Sequence, residues 1–213
     1  MNRQITTEAE LLQPEQLVAY FGYGSLVNRV TLRTSYVSAQ PVRLHGWRRC
    51  WRPRHIGLVH EGQPSASLLS ARQVADSVID GLLVYDRFEN LAAVDERESG
   101  YDRVAVPLER LQMLGGALPN CPIYVYEAQT NAATHDPGEP ILQSYLDAVL
   151  QGFLTEFGRQ GVRDFLATTD GFERSVLADR HAPIYPRAVR LLSEEQSFFD
   201  DLLHAHRTGT VLP

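Results

Sequence analysis

At 213 residues the chain has the length of one ordinary folded domain, enough to bury about two thirds of its unfolded surface without disulfide or metal staples. Its 44% hydrophobic and 22% charged residues exclude a disordered or fibrous protein, and a net charge of -6 with dispersed arginines excludes a concentrated nucleic-acid surface. All 20 basic residues are arginine, which rules out Schiff-base chemistry and the phosphate-binding lysine of P-loop and kinase sites. Met1 to Gln16 is polar, without the apolar segment of a signal peptide, and no apolar run reaches membrane-spanning length. A cytoplasmic protein with no membrane or nucleic-acid partner is expected. Cys50 and Cys121 are too few and too isolated for a disulfide framework or a zinc site, and both read as reduced.

Leu17 to Tyr23 is rich in apolar and aromatic residues and ends at Gly24-Ser25, as a buried strand entering a tight turn does. Asn28 is placed to cap a short helix to about Tyr36. Val42 to Trp51, His55 to Val59, Ala66 to Leu69 and Ile79 to Tyr85 read as short strands separated by Pro, Gly and Ser, so the first half is β-rich. From Asp86 a helical period sets Phe88, Leu91, Val94 and Asp95 on one side, with Gly100 as its stop. Tyr101 to Leu108 and Ile123 to Glu127 read as strands, the second placing Tyr124 and Tyr126 on one face. Pro140 starts a long helix over Ile141 to Phe157, and helices follow near Val162 to Ala167 and Glu194 to His206. No internal repeat or long linker divides the chain, so one domain over 1–213 is expected.

Glu98 follows Val94 by four residues and Leu91 by seven, so the same helix aims it toward the core while Glu96 and Arg97 rotate outward. Burial raises the pKa of such a carboxyl toward neutrality, which suits a general base. The same spacing equally suits a structural glutamate paired with an arginine, and spacing alone does not choose. The turn Gly22-Tyr23-Gly24-Ser25-Leu26 lets the backbone approach a ligand closely and offers successive N–H groups to an anion or oxyanion. It fails the dinucleotide fingerprint, having Val27 where a third glycine belongs, and Ser25 is not framed as a hydrolase nucleophile. The seven histidines show no metal spacing, and Trp47 and Trp51 read as core or pocket wall.

Several segments together resemble the gamma-glutamylcyclotransferase superfamily, closest to its ChaC-type branch. They are Tyr20-Phe21-Gly22-Tyr23-Gly24-Ser25-Leu26, Gly46-Trp47-Arg48-Arg49-Cys50-Trp51, Asp80-Gly81-Leu82-Leu83-Val84-Tyr85 and Val94-Asp95-Glu96-Arg97-Glu98-Ser99-Gly100-Tyr101. The Tyr124 and Tyr126 pair and Pro140 to Asp147 continue it, so that it covers about residues 17 to 157. The resemblance implies an α+β fold, a mixed β-barrel or sheet with flanking helices, followed here by an extra helical segment over about 158–213. It implies an enzyme that cyclises a small gamma-glutamyl substrate to 5-oxoproline without metal or cofactor. Glu98 would be the acid/base, and Tyr23, Gly24, Ser25 and Leu26 would hold the glutamyl group. One of Tyr126 and Tyr124 would hydrogen-bond Glu98 or the substrate, with Tyr126 preferred. Pro183-Ile184-Tyr185-Pro186-Arg187, beyond the resemblance, reads as packing rather than a lid.

Overall fold

The computed structural model describes residues 16–32, 35–53, 65–98, 100–129 and 138–209. In chain order the strands are β1 (Leu17–Gly22), β2 (Ser38–Arg52), β3 (Leu68–Arg87), β4 (Tyr101–Ala105), β5 (Leu111–Met113), β6 (Ile123–Ala128), β7 (Ile141–Leu142), β8 (Thr169–Asp170) and β9 (Val176–Leu177). The helices are α1 (Leu91–Arg97), α2 (Gln143–Ala167) and α3 (Ser193–Thr208).

Every residue of β1 is buried, which places it inside a mixed sheet ordered β4-β6-β1-β3-β2-β5, with β8 also paired to β2. β1 runs antiparallel to β3 and parallel to β6. The fold is α+β, as the resemblance implies. The barrel alternative is corrected: among the described residues the short edge strands β4 and β5 do not pair, and the sheet stays open.

Other departures have local causes. The strand expected from Ala66 begins at Leu68 and runs on through Ile79 to Tyr85 as one strand, β3, because pairing with β2 carries the backbone through the polar stretch between them. Asn28 caps only a 3-10 turn, Arg29–Thr31, through its side-chain oxygen on the Val30 amide. The following Val30-Thr31 pair is a poor helix former, and the Asn28 amide is drawn instead to the Ala148 carbonyl of α2 at 3.0 Å. The helix expected from Asp86 starts at Leu91, since β3 continues to Arg87 and a 3-10 turn over Phe88–Asn90 intervenes, leaving Phe88 exposed. β4 ends at Ala105 rather than Leu108, and β5 is too short to show a period in the sequence. The strand expected over His55 to Val59 lies outside the described residues.

α2 buries Leu146, Val149, Leu150 and Phe153 at the i, i+3, i+4, i+7 spacing of one helix face. A break at Gly158 (φ 67°, ψ −170°) separates that face from Val162, Phe165 and Leu166, which explains two expected helices in one element. Ile141 and Leu142, read as the helix start, instead pair with β9. Gly152 is where α2 meets the turn after β1, since a Cβ there would lie 2.6 Å from the Asn28 nitrogen. α3 joins the same core through Phe198, Phe199 and Leu202. Among the described residues no helix is long and apolar enough to cross a membrane.

The segment between α2 and α3 is tied down by two carboxylate clusters. Arg180 bonds both oxygens of Asp147 on α2, at 2.7 and 2.9 Å, and Asp200 on α3 at 2.8 Å. Asp179 accepts the Ser144 amide and hydroxyl at 2.8 and 2.5 Å and the Ile184 amide at 3.0 Å, so a distant residue caps α2 and folds the 179–185 turn. Burial pushes the Asp179 carboxyl up, but these hydrogen bonds outweigh it and hold it below its ordinary range. A depressed folded pKa stabilises above the unfolded value of roughly 3.9, and the contribution disappears as pH falls through the folded value. Asp179→Asn should therefore cost about 1–3 kcal/mol at pH 7. Urea unfolding should show that deficit shrinking below roughly pH 4; a deficit unchanged at acid pH would contradict the assignment.

Candidate active site

The chain leaves β1 through Tyr23 and Gly24 into a 3-10 turn, Ser25–Val27, closed by Val27 N–H to Gly24 O at 3.0 Å and Asn28 N–H to Ser25 O at 3.1 Å. The preceding amides, of Ser25 and Leu26, are those a first turn leaves over. Above the turn is a cavity of about 200 Å³ lined by Tyr23, Gly24, Ser25, Leu26, Glu98 and Tyr126. That volume lies below the roughly 300–1,000 Å³ of drug-sized pockets and suits a small ligand. The residues singled out in the sequence thus come together, except Tyr124, which is not in the lining and whose ring lies 4.7 Å from the Arg103 guanidinium carbon.

Glu98 stands at the C-terminal end of α1, just past its last residue, with its amide on the Val94 carbonyl at 3.0 Å. Its side chain is 20% exposed, and Oε1 accepts a bond from Arg97 Nε at 2.9 Å. Arg97 is therefore not turned outward as the helical period implied: the helix ends at Arg97, and the side chain folds back along the Glu98 carboxylate. Oε2 has no hydrogen-bond partner among the described residues.

Four tyrosines wall the cavity, and three have committed hydroxyls. Tyr23 donates to the Tyr126 carbonyl at 2.6 Å, Tyr101 to the Leu69 carbonyl at 3.0 Å, and Tyr126 to Asp95 Oδ1 at 2.7 Å. Tyr126 thus bonds Asp95, not Glu98. The fourth, Tyr145 on α2, lies beside the Ser25 amide and hydroxyl. Burial pushes its pKa up strongly, the neighbouring Tyr185 and Glu98 add to this, and Ser25 opposes it. The Glu98 charge also raises Tyr23 and Tyr126, for which burial is the main cause. All three remain protonated near neutrality, and the Tyr145 hydroxyl is the one left to donate into the cavity.

Sequence reading missed Tyr101, Tyr145 and Arg187, which also line this cavity. Tyr145 falls on a buried helix face, where an aromatic residue reads as core. Arg187 lies in the stretch read as packing; Tyr185 there does pack, edge-on against Tyr145 at 5.0 Å, and Arg187 in addition reaches the lining.

No protein-family model and no curated protein matches the sequence. Among solved structures, a gamma-glutamyl cyclotransferase is 17% identical, with a TM-score of 0.54 over 87% of this chain and 99% of its own. An uncharacterised protein from Homo sapiens is 18% identical, with a TM-score of 0.50 and the same coverage of both chains. The chain has the gamma-glutamyl cyclotransferase-like fold.

At Gly24 a side chain would crowd the cavity wall: a Cβ would lie 2.8 Å from the Tyr145 hydroxyl oxygen and 3.2 Å from Leu69 Cδ2. Gly24→Ala should destabilise the protein by about 1–3 kcal/mol through overpacking. Adding Tyr145→Phe, which removes the closest atom, should restore part of the loss in thermal unfolding. Equal losses in the single and double variants would show that the contact is not the cause.

Proposed function

We propose that this chain is a cytoplasmic gamma-glutamyl cyclotransferase that closes a gamma-glutamyl amide to 5-oxoproline and releases the amine. One observation carries the reading: a carboxylate with one oxygen unbonded among the described residues, Glu98, and the turn Gly24-Ser25-Leu26 line the same small cavity. Glu98 Oε2 takes a proton from the substrate's alpha-ammonium group. The freed amine attacks the gamma-carbonyl carbon of its own molecule, forming the lactam C–N bond and an oxyanion. The Leu26 amide and the Tyr145 hydroxyl, whose oxygen accepts from the Ser25 amide, are the donors available to that oxyanion. The ring nitrogen, which still carries two protons after the attack, releases one to solvent, and the C–N bond to the leaving group breaks as the oxyanion collapses and Glu98 returns its proton to the departing nitrogen. Nucleophile and electrophile belong to one molecule, so the site's main task is to fix conformation, where effective molarities on the order of 10⁵ M or more are attainable.

The Arg97 pairing to Oε1 is what a purely structural glutamate would also show, and it supports the second reading, a gamma-glutamyl-binding module without turnover. The two are separated by incubating the protein with gamma-glutamyl peptides and amines and measuring 5-oxoproline. With turnover established, Glu98→Gln should lower it by roughly 10²–10⁴-fold. The thermal midpoint should change little, since a partly exposed ion pair contributes about 0–1 kcal/mol. Turnover within tenfold of the unsubstituted protein would remove Glu98 from the chemistry.

A further inference from the structure

Asp95 lies on α1 three residues before Glu98, close to one helical turn away, and does not itself line the cavity. Each of these two carboxylates has one oxygen held by an arginine: Glu98 Oε1 by Arg97 Nε at 2.9 Å, and Asp95 Oδ2 by Arg103 Nη1 at 2.8 Å. Their other oxygens differ. Glu98 Oε2 has no hydrogen-bond partner among the described residues, whereas Asp95 Oδ1 accepts the Tyr126 hydroxyl at 2.7 Å. Arg103 belongs to β4, and its guanidinium carbon lies 4.7 Å from the Tyr124 ring centre, so the Asp95 carboxylate is gripped from the sheet on the side away from Tyr126.

A tyrosine hydroxyl has one proton to donate and lone pairs that accept. With its proton on Asp95, the Tyr126 oxygen can meet a ligand only as an acceptor, and Tyr126 lines the cavity together with Glu98. Tyr23, whose proton lies on the Tyr126 carbonyl, is limited in the same way. Burial is the main reason both hydroxyls resist ionisation, and the nearby Glu98 charge adds to it, so both oxygens stay neutral. A carboxylate oxygen beside neutral oxygens that only accept is complementary to a group that only donates. An ammonium group, with three N–H donors and no acceptor, is such a group.

We infer that Asp95 is a positioning residue of the proposed reaction: by holding the Tyr126 proton it leaves the Tyr126 oxygen to accept from the substrate's alpha-ammonium group beside Glu98. The inference rests on the cyclotransferase reading. Its test uses gamma-glutamyl-alanine and N-glutaryl-alanine, which lacks only the alpha-amino group and cannot close to a lactam. With 5-oxoproline as the readout, KM is measured for the first compound and the inhibition constant for the second. The proteins are the unsubstituted chain, Tyr126→Phe, Asp95→Ala, Asp95→Asn and the double variant Tyr126→Phe/Asp95→Ala.

Tyr126→Phe should raise KM for gamma-glutamyl-alanine about tenfold and leave inhibition by N-glutaryl-alanine within about twofold. Asp95→Ala should raise the same KM by about threefold to tenfold, with no further rise in the double variant, because Asp95 acts through Tyr126. Asp95→Asn, whose amide oxygen can still accept the Tyr126 proton, should recover part of the loss. A matched weakening of both compounds would overturn the inference, assigning Asp95 and Tyr126 to the fold or to the alpha-carboxylate. Additive effects in the double variant, or an unchanged KM in Tyr126→Phe, would overturn it as well. Absence of 5-oxoproline would defeat the cyclotransferase reading alone: gamma-glutamyl-alanine is then a stable ligand, and calorimetry of the two compounds reports the same discrimination. Binding of neither would overturn both.

Discussion

The Arg49 guanidinium, 1% exposed and without a carboxylate at ion-pair distance among the described residues, is the contact on which the site's scaffold depends. It donates to the Tyr23 carbonyl at 3.0 Å, to Thr168 Oγ1 at the end of α2 at 2.8 Å, and to the Asp80 carbonyl of β3. Phe153 and Phe165 of α2 supply their ring faces, with the guanidinium carbon 4.8 and 5.1 Å from their centres. Burial pulls its pKa down, which the neighbouring Asp80 carboxylate partly offsets. A cation in this position is tolerated only because fixed dipoles and ring faces meet it from three elements. Breaking such a buried cluster costs about 3–5 kcal/mol. Because one of its acceptors is the Tyr23 carbonyl, Arg49 also sets where the turn begins and therefore where the Ser25 and Leu26 amides stand.

The second constraint is the allocation of polar groups around the cavity. Tyr23, Tyr101 and Tyr126 give their hydroxyl protons to protein acceptors, and in doing so fasten the end of β1, β3, β4 and β6 around the cavity. Tyr145 and one oxygen of Glu98 are the groups left over. The Glu98 oxygen without a partner among the described residues, and the Tyr145 hydroxyl beside the Ser25 turn, are the groups on which the proposed reaction relies. Arg187 also lines the cavity and makes no ion pair among the described residues.

Much of this was legible in the sequence because the physics was local. β1 is apolar throughout, and α3 carries acidic residues in its first turn and basic ones in its last, the pattern a helix dipole favours. Glu98 and the Gly24-Ser25 turn were legible as a pair through the family resemblance, because spacing alone left Glu98 between a catalytic and a structural role and a glycine turn alone is a weak signal. Arg97 was misplaced because the helical period was continued one residue past its end. Tyr145 was invisible because a cavity-lining aromatic on a buried helix face has the pattern of a core residue. Arg187 and Tyr185 owe their position to Asp179 reaching back to Ser144, a long-range bond that no local pattern records.

The central claim, that Glu98 and the Ser25 turn together hold the glutamyl group, is tested most directly by a crystal structure with 5-oxoproline bound. The lactam nitrogen should lie beside the Glu98 carboxyl, and the lactam oxygen within about 2.7–3.2 Å of the Leu26 amide or the Tyr145 hydroxyl. A lactam bound elsewhere, or in the cavity with Glu98 engaged by Arg97 alone, would contradict the account.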